Sequence, residues 1–114
     1  MSPARALAAT EVRDAAPLFA ALGDETRLRL LGRLSANGPD SITGLSARSD
    51  VTRQAITKHL AVLARAGLVR DERRGRERIW QLEPRRLEDA HEHLERISNL
   101  WDDALDRLAR HVEE

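Results

Sequence analysis

The spacing of apolar side chains predicts two helices in the first third of the chain. Apolar residues recur every three or four positions in two groups, Leu18, Phe19 and Leu22, then Leu28, Leu31 and Leu34. Such spacing places each group on one face of a helix. Asp14 is predicted to cap the first helix, with Pro17 in its opening turn, and Asp24 is predicted to cap the second. Gly23 and the Asn-Gly-Pro stretch at 37–39 are expected to end these helices.

A second pair of helices follows, separated by a short polar break at residues 48–50. Ser41 is predicted to cap a short helix, and Thr52 is predicted to cap a longer one that ends at Gly67. The apolar positions of the two helices are Ile42 and Leu45, then Ala55, Ile56, Leu60 and Leu63. Two helices with narrow apolar seams and a break of about three residues have the pattern of a helix-turn-helix unit.

After Gly67, side chains of similar character recur every second position. This spacing predicts two short antiparallel strands around the stretch RRGR at residues 73–76. Pro84 is expected to end the second strand. The remaining residues contain no Gly or Pro and predict one helix of about 26 residues. Its apolar stripe consists of Leu87, Leu94, Ile97, Trp101, Leu105, Leu108 and Val112. The stripe can pack on the first helix of the same chain, but its extent favours packing against a partner helix.

These elements predict one domain that is mainly α with a small β-hairpin, in the order α-α-α-α-β-β-α. Its 114 residues match the common domain size. We expect a flexible arm over residues 1–12, a core over 13–83 and a C-terminal dimerisation helix over 84–114. No apolar run approaches the roughly 20 residues that span a membrane, and the N-terminus does not resemble a secretory signal, so a cytoplasmic location is expected.

Charge is unevenly distributed although the formal net charge is zero. Residues 41–78 hold nine Lys and Arg against four Asp and Glu, whereas residues 83–114 hold five Arg against ten Asp and Glu. The middle of the chain can therefore meet an anion while the acidic tail stays away from it. The chain has no Cys and no Tyr, no glycine-rich phosphate loop and no plausible catalytic set, so we do not expect an enzyme.

The longer helix of the helix-turn-helix unit carries the candidate binding residues. With its apolar stripe turned inward, it presents Arg53, Gln54, Thr57 and Lys58 outward. Arg and Gln can read base edges through paired hydrogen bonds, Thr offers a hydroxyl and a methyl group, and Lys can hold a phosphate. Thr52 at the cap leaves backbone N–H groups free for a phosphate. The alternative is an ordinary solvated helix face.

The predicted hairpin adds a second cationic feature. Its tip places four arginines around Gly75, namely Arg73, Arg74, Arg76 and Arg78. Their mutual repulsion favours an anionic partner, such as the DNA backbone or minor groove beside a major-groove helix. The alternative is a charged turn balanced by Asp71, Glu72 and Glu77.

Three phrases of the sequence resemble the ArsR-type winged-helix bacterial transcriptional regulators. They are PLFAALGDETRLRLLGRL, VTRQAITKHLAVLARAGLV and RRGRERIWQLEP, and the resemblance covers roughly residues 15–112. It implies a winged helix-turn-helix fold and a homodimer that binds an inverted repeat in double-stranded DNA, usually as a repressor. It also implies dimerisation through the first and last helices, with interface residues Leu18, Phe19, Leu94, Ile97, Trp101, Leu105 and Leu108.

The metal sites known in that family are not expected here. The helix before the longer helix reads SITGLSARSD, which has no thiolate ligand. The terminal helix does contain Asp89 and His91, and later His111, but the two histidines are 20 residues apart, about 30 Å along a helix. We therefore predict no metal and no cofactor, with an unknown effector. A metal-responsive repressor using these residues and a protein-binding winged helix remain the alternatives.

His59 has two possible positions. It can touch a phosphate beside Lys58, or it can lie between the longer helix and the helix before it. Its nearness to the Ile56–Leu60 seam favours the second position.

Overall fold

The computed structural model describes residues 7–113. The helices are α1 (Ala9–Leu22), α2 (Glu25–Asn37), α3 (Ile42–Ala47), α4 (Arg53–Arg65) and α5 (Pro84–Glu113). The strands are β1 (Asp40–Ser41), β2 (Val69–Arg74) and β3 (Glu77–Leu82). The predicted class, mainly α with a small antiparallel hairpin, is confirmed, and so is the predicted order except for the added β1.

Three of the predicted helix caps are confirmed. The Asp24 carboxylate accepts a hydrogen bond from the Arg27 backbone N–H at 3.0 Å. The Ser41 hydroxyl accepts one from Gly44 N–H, and the Thr52 hydroxyl accepts one from Ala55 N–H, both at 3.1 Å. Each cap satisfies one of the backbone donors that a helix start leaves without a partner. Local sequence therefore fixes where α2, α3 and α4 begin.

The start of α1 was predicted wrongly. The helix begins at Ala9, so residues 9–12 are helical rather than part of a flexible arm, and Asp14 and Pro17 lie inside the helix. Residues 1–6 of the predicted arm lie outside the described residues. Pro17 removes one intrahelical donor, which normally disfavours an interior position. Ion pairs connect this part of α1 to the distant α5.

Those ion pairs form a polar seam between α1 and α5. Arg96 donates a hydrogen bond to Glu11, and one Arg86 nitrogen lies 3.1 Å from an Asp14 carboxylate oxygen. The Arg86 guanidinium holds the pKa of Asp14 below its ordinary value. The buried His93 ring also lies beside this carboxylate, with Nε2 at 3.6 Å. The seam joins the helix start to a segment more than 70 residues later in the chain.

Asp14→Asn is expected to lower the free energy of unfolding at neutral pH. Because the folded-state pKa of Asp14 is depressed, its stabilisation is fully present above the ordinary value of 3.8 and is lost as the pH falls through the lower folded-state pKa. Urea melts at pH 7 and pH 3 should show a difference between variant and wild type that shrinks at the lower pH. Asp102→Asn, on the exposed part of α5, serves as the control. A pH-independent difference would contradict this assignment.

The core lies where the first four helices meet the hairpin and the start of α5. Its fully buried large side chains are Leu18, Leu45, Ile56, Leu60, Leu63 and Leu68. Two predictions fail here. Leu28 is exposed, and Leu30 takes its place in the core. Leu18 is buried inside the protomer and cannot be part of an exposed interface, because its side chain has no accessible surface.

The hairpin pairs β2 and β3 in an antiparallel register that sets Val69 opposite Leu82 and Arg74 opposite Glu77. Gly75 adopts a positive φ of 63° in the two-residue turn, a conformation that favours glycine. The two-residue strand β1 pairs with the other edge of β3, which makes a three-stranded sheet in the order β1-β3-β2. Strand β1 was not predicted, since two residues are too short to show a period. Trp80 on β3 is buried against the helices.

The C-terminal half of α5 extends away from the rest of the molecule. The described chain measures 66 × 27 × 20 Å, and a helix of 30 residues accounts for about 45 Å. The large apolar side chains exposed along α5 are Leu94, Trp101, Leu105, Leu108 and Val112. Within residues 7–113, none of the helices is both long enough and apolar enough to cross a membrane.

Candidate nucleic-acid interface

Helix α4 has one buried face and one exposed cationic face. Ile56, Leu60 and Leu63 are buried and Ala55 is half-buried, so the predicted stripe is confirmed for its three large residues. The predicted binding residues Thr52, Arg53, Gln54, Thr57 and Lys58 are all exposed. The structure therefore places the five side chains together on the first turns of one helix. This shared face is called the α4 face below.

Two hydroxyl groups on the α4 face are already engaged by the helix itself. The Thr52 hydroxyl accepts from Ala55 N–H, and the Thr57 hydroxyl donates to the Arg53 carbonyl at 2.8 Å. The Thr57 proton is therefore occupied, and its methyl group and an oxygen lone pair remain available. This narrows the prediction for Thr57 to an apolar or acceptor role.

The remaining α4-face side chains make no hydrogen bond or ion pair with the described residues. Arg53, Gln54 and Lys58 have no such partner in residues 7–113, and the backbone N–H groups of Arg53 and Gln54 are also unbonded at the helix start. A helix N-terminus with free N–H groups and unneutralised cations attracts phosphate. The α4 face thus offers both phosphate donors and one amide that can pair with a base edge.

The four hairpin arginines fall into two groups. Arg78 lies 3.4 Å from the Asp71 carboxylate and Arg74 lies 3.7 Å from that of Glu72. Arg73 stands opposite Arg78 across the ladder, and within the described residues neither Arg73 nor Arg76 has a carboxylate partner. Acidic neighbours therefore neutralise only part of the positive charge of the four hairpin arginines. Arg73 and Arg76 carry the unneutralised charge of the hairpin.

A polar cluster fixes α4 against the start of α2. His59 Nδ1 lies 3.3 Å from an Arg27 nitrogen and 3.7 Å from an Asp24 oxygen. Arg27 also donates to the Ala21 and Ala20 carbonyls at the end of α1, at 2.6 and 3.2 Å. The Arg27 backbone N–H lowers the pKa of Asp24 by its hydrogen bond to the carboxylate. His59 thus packs against α2, not against α3 as predicted, and it orients α4.

Sequence reasoning missed three arginines that link neighbouring helices in and around the helix-turn-helix unit. Arg27 bonds the carbonyls at the end of α1, Arg33 bonds the Leu45 and Gly44 carbonyls of α3, and Arg86 bonds the Ala66 carbonyl just after α4. A guanidinium can donate to two carbonyls and favours the negative end of a helix. In the sequence these residues look like solvated cations, because their partners are distant in the chain.

The histidines and carboxylates show no metal-type grouping. Among residues 7–113, no three His, Asp or Glu side chains come together in a way that could hold a metal ion. His91 is exposed, whereas His93 is buried beside Asp14 and makes an edge contact with Phe19 at 6.4 Å between ring centroids.

Comparison with known proteins gives matching results from sequence and from structure. A family model described as a helix-turn-helix domain matches residues 22–72. The HTH-type transcriptional regulator Rv2034 of Mycobacterium tuberculosis is 37% identical over 93 residues, covering 82% of this chain and 83% of that protein. The arsenical resistance operon repressor of Escherichia coli is 36% identical over 67 residues, covering 59% of this chain and 57% of that protein. An ArsR-like transcriptional regulator from Rhodococcus sp. RHA1 superposes with a TM-score of 0.77 at 37% identity, covering 89% of this chain and 94% of that one.

Proposed function

Because the chain belongs to the ArsR-like family of helix-turn-helix transcriptional regulators, we propose that it represses transcription as a homodimer on an inverted-repeat operator. The chain is a DNA-binding regulator with a winged helix-turn-helix fold. The residues that contact DNA, the twofold symmetry of the dimer and operator, and the repression of transcription are what we propose. The observation that carries it is the exposed α4 face, whose Arg53, Gln54 and Lys58 have no partner within residues 7–113.

In this proposal α4 lies in the major groove and each of its residues has a distinct role. Arg53 and Gln54 read base edges through paired hydrogen bonds, and Thr57 contacts a thymine methyl group or a base donor. Thr52 and Lys58 hold phosphates and fix the register of the helix. The hairpin is the wing, and Arg73 and Arg76 are its principal phosphate contacts, with Arg74 and Arg78 joining them if their acidic partners release them.

The dimer forms through the apolar surface that the protomer leaves uncovered. Trp101 is 65% exposed, and Leu94, Leu105 and Leu108 are each more than half exposed on the same stripe of α5. Several large apolar side chains exposed side by side on a helix are typical of a protein–protein interface. On α1, Val12 is 48% exposed and Phe19 is half-buried, so these residues, rather than Leu18, extend the interface.

A twofold dimer presents two α4 faces, which bind half-sites whose centres are about 34 Å apart, one turn of DNA. Repression follows when such a site overlaps a promoter. One relative is named as a repressor of an arsenical resistance operon, which supports this sign of regulation.

Selection of bound duplexes from a random pool tests the proposal. We expect enrichment of one inverted repeat with half-site centres about one helical turn apart. Recovery of a single half-site would contradict the dimeric arrangement, and recovery of no common sequence would contradict base reading by the α4 face. Failure to retain any duplex at low salt would favour the alternative of a winged helix that binds protein.

Lys58→Ala is expected to weaken binding to the selected operator and to random duplex by a similar factor. A phosphate contact contributes to both kinds of binding, so its loss should reduce the slope of log affinity against log salt by about 0.9 per protomer. Fluorescence anisotropy at several salt concentrations measures this slope. Arg107→Ala, which removes one charge from the exposed part of α5, is the matched control. Weakening on the operator alone would assign Lys58 to base reading.

A further inference from the structure

A cavity lies behind the turn between α3 and α4, on the side that faces α2. Its polar lining comes from Thr26, Arg29 and Arg33 of α2 and from Arg48, Ser49 and Asp50 of the turn, and Leu30 and Val51 supply its apolar side. The cavity has a volume of about 140 Å³. A cavity that holds one water molecule needs roughly 10–15 Å³, so a five-atom oxyanion such as phosphate fits in this one. We refer to it as the basic pocket.

The basic pocket has a surplus of positive charge. Arg48 makes no side-chain hydrogen bond or ion pair with any residue that the structure describes. Among the described residues, Arg33 bonds the Gly44 and Leu45 carbonyls and no carboxylate. Arg29 pairs with Glu25 at 2.6 Å, and Asp50 supplies the one carboxylate in the lining. Three guanidinium groups therefore face two carboxylates in and beside the cavity.

Neutral donors supplement these cations. The Ser49 hydroxyl accepts from Val51 N–H, so its own proton is available to a ligand, and Thr26 adds a second hydroxyl. Guanidinium groups and hydroxyls together are the usual partners of phosphate oxygens, because a guanidinium matches two oxygens at once. The lining is thus suited to an oxyanion and unsuited to a cation.

We propose that the basic pocket binds a phosphate-type oxyanion and uses it to hold the α3–α4 turn against α2. The anion would bridge Arg48 on the turn to Arg29 and Arg33 on α2. Because Thr52 begins α4 directly after this turn, an occupied pocket restrains the helix that carries the α4 face. The pocket shares no side chain with the predicted DNA-binding residues.

The oxyanion can come from two sources with the same chemistry. One is a phosphate of the DNA backbone next to the half-site, and this version rests on the proposed function. The other is free inorganic phosphate or a phosphorylated small molecule that changes how firmly α4 is held.

The test compares wild type with Arg48→Gln, a substitution of an exposed side chain that breaks no side-chain hydrogen bond or ion pair within residues 7–113. Arg110→Gln is the matched control, because it removes the same charge from the end of α5. Inorganic phosphate is titrated against each protein at constant ionic strength with chloride as the reference, and Tm is recorded. Affinity for duplex DNA is then measured against salt in phosphate-free buffer and repeated with phosphate.

Binding of free phosphate should raise Tm of wild type and of Arg110→Gln by a few degrees once its concentration exceeds Kd about tenfold, and should leave Arg48→Gln unchanged. If the source is DNA, the salt slope of Arg48→Gln should fall by about 0.9 per protomer relative to the control. If the source is a free anion, phosphate should change the DNA affinity of wild type and not that of Arg48→Gln. Each of these results supports the basic pocket.

The proposal is overturned if phosphate and chloride have equal effects on Tm and Arg48→Gln has the DNA affinity and salt slope of Arg110→Gln. A protein that shows the Arg48-dependent rise in Tm but binds no DNA would refute the proposed function and leave the oxyanion site standing. The two failures are therefore distinguishable.

Discussion

Trp101→Ala is expected to produce the largest functional loss, by converting the dimer into monomers. Interface tryptophans often contribute about 2 kcal/mol or more each, and a twofold interface contains two copies. The dissociation constant of the dimer should therefore increase by roughly 1,000-fold or more. Sedimentation velocity over a range of protein concentrations measures the change directly.

Operator affinity should fall together with the dimer. A monomer reaches one half-site, and losing the linked second contact typically costs a factor of roughly 10²–10⁴. Asn99→Ala is the matched control, since Asn99 is exposed on the opposite side of α5 from Trp101. A Trp101→Ala protein that stays dimeric with unchanged operator affinity would refute the proposed interface.

Gln54→Ala is expected to have the second largest effect, and it should act on specificity. The Gln54 amide is exposed and makes no hydrogen bond with the described residues, so both of its polar groups are available to a base. A bidentate contact to adenine contributes about 1–3 kcal/mol of discrimination. Affinity for the selected operator should therefore fall by roughly 5- to 150-fold for each of the two half-sites, with little change on random duplex.

The selection experiment provides the readout for this variant. Repeating it with Gln54→Ala should relax the preference at one position in each half-site and leave the other positions intact. Gln81→Ala, which makes the same change on β3, should retain the wild-type preference. Equal weakening on operator and random duplex would assign Gln54 to the phosphate backbone instead.

Much of this fold could be predicted because its determinants are local. Asp24, Ser41 and Thr52 each cap a helix through a backbone N–H three residues later, so their positions in the sequence are enough to locate the helix starts. Gly75 similarly marks the hairpin turn through its positive φ. The buried stripe of α4 followed from spacing alone.

The errors occurred where partners are distant in the chain. In the early part of α1, Glu11 and Asp14 pair with α5, and no local pattern reveals these contacts. Leu18 and Leu28 were assigned to the wrong environments because apolar residues lie on more than one side of their helices, and only the packed neighbours decide which side is buried.

In the candidate site, too, the features with local causes could be predicted and those with distant partners could not. Exposure of Arg53, Gln54 and Lys58 followed from the apolar stripe on the other side of α4. The contacts of Arg27, Arg33 and Arg86 and the position of His59 could not be predicted, because the partner groups belong to other elements. The pairing of hairpin arginines with acidic residues was foreseen only as a general balance of charge.

Methylation protection on the selected operator tests the central claim, which is that two α4 faces occupy successive major grooves. Dimethyl sulfate modifies guanine N7, an atom that lies in the major groove. We expect protected guanines in two clusters related by the operator's symmetry and about one helical turn apart. Full N7 reactivity throughout the bound operator, or a single protected cluster at saturating protein, would contradict this arrangement.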